Sequence, residues 1–303
     1  MKFMVEYPLG IDDEGRPWAT PSSMVAFATA LEAAGVDAIA FTDHPAPSKK
    51  WLDGGGHATI DPFVGLGFCA GVTTTLRLMT ALTVVPYRNP LLLAKSMTAV
   101  DIVSGGRATF ILGTGYLRSE FLALGVDFEE RNALFDEAVE VAKGLWSTEE
   151  LQYEGRHFTA LGQTMFPRQV QQPHPPLWLG GNARIVRDRV ARWGDGWAPM
   201  LGGGVLTQTA RTAAITTDQD FADALDDLGE RLERHGRSLS DVDISGSIAS
   251  TRVGLSDPPA FVGGLAELAK LGVTWTHAPV VLGNLTASLE AIAQFGEEVM
   301  AKL

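Results

Sequence analysis

The chain has 303 residues, 33 of them Gly and one Cys, and its 36 acidic against 24 basic side chains give a formal net charge of -12. A chain of this length can bury roughly three quarters of its unfolded surface, and 46% apolar with 20% charged residues is the composition of a globular protein, not of a disordered or fibrous one. A single Cys excludes an intramolecular disulfide and a Cys-rich metal site, and an acidic chain with no basic block is not suited to nucleic acid or an anionic membrane.

The N-terminal Met-Lys-Phe-Met-Val-Glu-Tyr-Pro reaches Asp12, Asp13 and Glu14 too soon for a signal peptide. The longest stretch without a charged side chain, 271–289, contains His277, Pro279, Gly283 and Asn284, which is too polar for a membrane span. A cytoplasmic, soluble protein is expected, with Cys69 an inert core residue.

In chain order, β-branched and apolar runs between turn signals predict strands at Lys2–Tyr7, Ala38–Thr42, Leu78–Val85, Ala108–Gly113, Leu177–Leu179, Gly196–Met200, Val242–Val253 and Val273–Val281. Between them lie helical stripes: Met24, Phe27, Leu31 and Ala34; then Leu134, Ala138, Val141 and Leu145; and last Leu285, Leu289, Ile292, Phe295 and Val299. Four helix starts pair a capping residue with Pro, at Thr20-Pro21, Asp61-Pro62, Asn89-Pro90 and Asp257-Pro258. Pro at the first helical position loses no hydrogen bond, since its missing N–H would have had no partner there.

This alternation predicts a (β/α)8 TIM barrel in a single domain over 1–303. A doubly wound sheet is the alternative, but after Tyr7 the chain runs Pro-Leu-Gly-Ile-Asp-Asp, without a Gly-rich dinucleotide turn. Residues 147–176, with Tyr153-Glu154-Gly155-Arg156-His157-Phe158 and a Pro/Gln run, read as a hairpin and excursion inserted before the fifth strand.

Barrel chemistry sits in the loops after strand ends. Asp43-His44 follows the second strand: His moves protons near neutral pH and an adjacent carboxylate can tune it, or the pair simply shapes a turn. Gly113-Thr114-Gly115-Tyr116 follows the fourth, and lacks the third Gly of a dinucleotide motif. Gly180-Gly181-Asn182-Ala183-Arg184 runs from the fifth strand into a helix, where exposed N–H groups would seat a phosphate; a plain βα turn is the other reading. No Gly-x-Ser-x-Gly elbow, Walker loop or His-Glu-x-x-His is present, and the six His are scattered, so no metal site is expected. Tyr7, Trp197 and His277 are expected to wall a substrate pocket.

Several segments resemble the bacterial luciferase-like monooxygenase superfamily: Arg88-Asn89-Pro90, Ala94-Lys95, Asp101, Ser104-Gly105-Gly106-Arg107, Gly113-Thr114-Gly115, Glu120-Phe121, Glu154-Gly155-Arg156-His157-Phe158, Leu179-Gly180-Gly181 and Asp195-Gly196-Trp197, in that order. The likeness spans about residues 30–200 and implies a TIM barrel binding either FMN or the deazaflavin coenzyme F-420. Asp43-His44 is similar to the Asp-His of the deazaflavin branch, where FMN members tend to show Glu-His-His. The resemblance further implies a cis-peptide bulge at Thr83-Val84 against the flavin, with Thr114, Gly115 and 180–184 also holding the cofactor and Lys49, Lys50, Arg118 and Arg184 offsetting its negative tail. His44, Asp43 and Tyr116 are the expected catalytic groups. Sugar-phosphate dehydrogenases of the branch carry Glu where this chain has Tyr116, which implies a less charged substrate. The reading is hydride transfer between F-420 and a small organic molecule, with an FMN monooxygenase or a non-catalytic flavin-binding barrel as alternatives, in a homodimer.

Overall fold

The computed structural model describes residues 1–204, 207 and 212–303. Eight parallel strands build one sheet: β1 (Lys2–Glu6), β2 (Ala38–Phe41), β3 (Arg77–Val84), β4 (Ala108–Gly113), β7 (Leu177–Gly180), β8 (Gly196–Ala198), β9 (Asp243–Ile244) and β10 (Trp275–His277). The sheet runs from β10 through β1 to β9 in that neighbour order, and its ends meet again through a parallel bridge between Ser245 and Trp275. The Thr274 N–H donates to the Ile244 carbonyl at 3.0 Å across the same seam. The result is the expected TIM barrel.

Alternation along each strand separates two layers. Met4, Ala38, Ala40, Met79, Ile111, Trp178 and Trp275 fill the barrel interior. Phe3, Val5, Ile39, Phe41, Leu112 and Leu179 point the other way, into the larger core shared with the helices. The helices begin where the capping signals stand. Thr20, Asp61, Asn89 and Asp257 each accept a backbone N–H of the following turn, ahead of helices α1 (Pro21–Ala33), α3 (Pro62–Ala70), α4 (Pro90–Val103) and α9 (Pro258–Lys270). Cys69 is fully buried in α3, and desolvation pushes its thiol pKa up to about 12, so it is not a nucleophile at neutral pH.

The excursion is a hairpin, β5 (Leu151–Glu154) with β6 (Thr159–Gln163), and an irregular return. Glu137, on α6 (Arg131–Ser147), accepts the N–H groups of His157 and Phe158 at 2.9 Å each. Buried Asp101 accepts from Val170 at 2.7 Å and from the Gln171 side chain at 2.6 Å. Two carboxylates thus tie the insertion to the barrel wall. The strand expected over Val242–Val253 is only Asp243–Ile244; beyond Ser245 the chain coils into short 3-10 turns at Ala249–Thr251 and Gly254–Ser256. The Thr251 hydroxyl exchanges bonds with Ile248 at 3.0 Å, a local alternative to the ladder.

Candidate active site

The C-terminal ends of the barrel strands open on a cavity of about 500 Å³, with an apolar floor of Met4, Ala81, Leu82, Ile111 and Ala198. Strand β3 bulges between Ala81 and Thr83 in its pairing with β4, and the Ala81–Leu82 peptide is cis. The feature expected at Thr83-Val84 therefore lies two residues earlier. Thr83 is fully buried and off the cavity wall, while Val84 lines it. The bulge swings Leu82 into the mouth, where a Cβ at Gly113 would fall 2.5 Å, and one at Gly180 2.4 Å, from its methyl carbons. Glycine on two facing strands makes the space Leu82 occupies.

His44 stands at one edge. Its Nδ1 lies 2.9 Å from Oε2 of Glu120, a fully buried carboxylate at the start of α5 (Arg118–Ala123). Glu120 also accepts the Ala46 N–H and the Tyr87 hydroxyl, each at 3.1 Å. Three donors on one carboxylate place the proton of neutral His44 on Nδ1 and leave Nε2 as an acceptor. Tyr116 presents its hydroxyl 3.4 Å from that Nε2. Desolvation, then the charge of Glu120, pushes the Tyr116 pKa up to about 12, so it stays protonated and serves as a donor. Trp51 covers the imidazole at 4.6 Å between ring centroids. Glu120 was legible only as part of a family motif, not as the partner of His44.

Asp43 behaves differently from its neighbour. Its carboxylate takes both guanidinium nitrogens of Arg88, at 2.6 and 3.0 Å, and the Val84 N–H at 3.0 Å. It is an anchor tying the second and third strand ends together, not a partner of His44.

The opposite end of the cavity is the loop from β7 into α7 (Arg184–Trp193). Gly181 lies at φ +115°, a region side chains rarely enter. Its N–H is spent on the Ala198 carbonyl at 3.1 Å, and that of Asn182 on the Thr212 hydroxyl at 3.1 Å. The Asn182 amide is likewise committed, donating to Met200 and Ala213 at 2.7 Å each. The N–H groups expected to seat a phosphate at Gly181 and Asn182 are therefore already occupied; Ala183 caps α7 without a side-chain acceptor, and Ala183, Ile185 and Val186 line the cavity. Thr114, Gly115 and Tyr116 line the cavity from β4. Of the expected cations none lines it; Lys49 pairs with Asp53 and Arg118 with Glu129. Arg131 and Arg189 do, and Arg189 is committed to Asp136 at 2.7 and 2.9 Å.

Of the expected pocket residues, Trp197 faces away from the cavity and Tyr7 borders only a smaller chamber beside it. Trp197 is fully buried against Phe221 in the outer core, its indole N–H donating to the Gly181 carbonyl at 2.9 Å. Tyr7 borders a smaller chamber at the end of β1, but its ring packs on Phe27 and Phe41 and its hydroxyl donates to Trp18 at 2.6 Å. His277 does line the cavity, and also this chamber of about 440 Å³. Among the described residues no helix is long and apolar enough to cross a membrane, and no cluster of three or more His, Cys, Asp or Glu is placed to hold a metal.

The chain is a parallel TIM barrel whose mouth carries a bulged third strand and a buried His–Glu pair. The family model described as luciferase-like monooxygenase matches residues 1–254, and the chain belongs to that family. A protein of Mycobacterium tuberculosis is 30% identical, over 81% of this chain and 77% of its own length. An F420-dependent glucose-6-phosphate dehydrogenase of Kineococcus radiotolerans is 30% identical, over 74% of this chain and 62% of its own. An FMNH(2)-dependent dimethylsulfone monooxygenase of Pseudomonas putida is 29% identical, over 41% and 34% respectively. The coenzyme F420-dependent tetrahydromethanopterin reductase of Methanopyrus kandleri shares the fold at a TM-score of 0.73 and 18% identity, covering 99% of both chains.

Proposed function

We propose that this chain is an F-420-dependent oxidoreductase that moves hydride between the deazaflavin and a small organic substrate. The observation that carries the reading is the His44–Glu120 pair at one edge of an apolar cavity whose other edge is an uncapped helix start. The residues fit such a cofactor: Ala81 and Leu82 at the bulge offer an apolar wall, and the N–H groups at Ala183–Ile185 suit a phosphate. The Asp43-His44 sequence and the longer match to an F420-dependent relative support the deazaflavin over FMN. Bound deazaflavin supplies a two-electron hydride carrier. His44 Nε2 is the group that takes or returns the substrate proton, Glu120 fixes its tautomer, and Trp51 with Tyr116 screens it from water.

Titration of the purified protein with F-420 and with FMN tests this directly. Micromolar binding of FMN with no response to F-420 would replace the reading with an FMN monooxygenase. Two further results are expected. Gly181→Val, forced into a positive-φ position, is expected to weaken F-420 binding at least tenfold by shifting the first turn of α7, with the circular dichroism spectrum retained. Glucose 6-phosphate is expected not to reduce the bound deazaflavin, because Tyr116, still protonated at neutral pH, stands where the sugar-phosphate enzymes carry Glu; robust reduction would overturn that claim.

A further inference from the structure

The chamber of about 440 Å³ beside the main cavity shares Glu6, Thr42, His57 and His277 with it and continues outward between the ends of β1 and β10. The rest of its lining is apolar or neutral, from Val5 and Tyr7 to Ala278 and Val281, and the Tyr7 hydroxyl is spent on the Trp18 carbonyl. Glu6 supplies the negative charge, and its carboxylate lies 3.6 Å from His277 Nε2. Burial of its ring holds the His57 pKa below its ordinary value, so the ring is a neutral donor or acceptor at physiological pH. No Lys or Arg is among the described residues lining the chamber. Arg131 and Arg189, the guanidinium groups of the main cavity, line only that one.

A phosphate or carboxylate entering here meets a carboxylate and no counter-cation, and a like charge placed against Glu6 is repelled, a repulsion that water moderates because the Glu6 side chain is 48% exposed. A hydroxyl meets an acceptor in Glu6, two imidazoles that can complete its hydrogen bonds, and an apolar wall for its carbon frame. We infer that this chamber is the substrate subsite and that Glu6, with His277, selects an uncharged hydroxylated molecule with an apolar carbon frame over its anionic counterpart. The inference rests on the oxidoreductase reading above for the word substrate, but its test is of binding and is read separately from cofactor titration.

The probes are 1,4-cyclohexanediol and 4-hydroxycyclohexanecarboxylate, titrated at pH 8 into the whole protein and followed by the ring resonances of His57 and His277. The diol is expected to shift both resonances and the carboxylate to bind at least tenfold more weakly. In Glu6→Gln the difference is expected to shrink below threefold. Ala58→Arg, which adds a cation to the exposed wall, is expected to strengthen carboxylate binding at least threefold, and it serves as the test should Glu6→Gln fail to fold. No shift with the diol, equal affinity for both probes in the unaltered protein, or discrimination that survives in folded Glu6→Gln and is unmoved by Ala58→Arg would overturn the inference. Failure of F-420 to bind while the discrimination holds would overturn the cofactor reading and leave the chamber's selectivity standing.

Discussion

Turnover is expected to fall by about 10²–10⁴-fold in His44→Ala, the range a positioned acid or base contributes, with F-420 affinity changed by less than about threefold. The imidazole is held from two sides, its backbone by the Thr59 hydroxyl at 2.9 and 3.2 Å and its Nδ1 by Glu120 at 2.9 Å. Only Nε2 is left to meet a substrate, and Tyr116 at 3.4 Å is a long, replaceable partner for it. Decay of the deazaflavin absorbance in the presence of substrate gives the rate; an unchanged rate removes His44 from the chemistry. Glu120 is a positioning residue, so its signature differs. A Gln there sets an amide NH2 among three donors, which frees the imidazole to change tautomer. Glu120→Gln is expected to move the midpoint of the pH–rate profile, whereas a merely structural lesion lowers the rate alike at every pH.

The barrel was legible because its signals are local. Each of the four Thr/Asp/Asn-Pro pairs needs only the next turn of chain to act as a cap, and each does. Strand parity is local too, and applied strictly it separates the two kinds of pocket candidate. Trp197 pairs beside Leu179, an outward residue, while Ala198 beside Gly180 faces the cavity. His277 shares the parity of Trp275 and faces in; Tyr7 shares that of Phe3 and Val5, so its ring faces out. Tertiary partners left no such trace. Glu120 reaches His44 across 76 positions of sequence, and Arg88 reaches Asp43 across 45. The bulge at Ala81-Leu82 is accommodated by the room that Gly113 on β4 and Gly180 on β7 leave for the Leu82 side chain. No feature within β3 itself specifies it.

Asp43 adjoins His44 in sequence, yet its replacement is expected to act on stability. Asp43→Ala is expected to lower the unfolding free energy by about 3–5 kcal/mol, the usual consequence of removing one member of a buried ion pair. The Asp43 side chain is 1% exposed and that of Arg88 18%, so neither can turn to water without moving a strand end. Without Asp43 the guanidinium keeps Asp61 at 3.1 Å, a partner 46% exposed and correspondingly weaker, and the Val84 N–H loses its acceptor altogether. Asp43→Asn retains one acceptor oxygen and is expected to cost less than Asp43→Ala. Urea unfolding at neutral pH measures both, with the midpoint falling while the slope stays fixed. A group on the proton path would give the reverse pattern: Asp43→Asn would lower turnover as far as His44→Ala and leave the unfolding midpoint where it was, and that pair of results would return Asp43 to the chemistry.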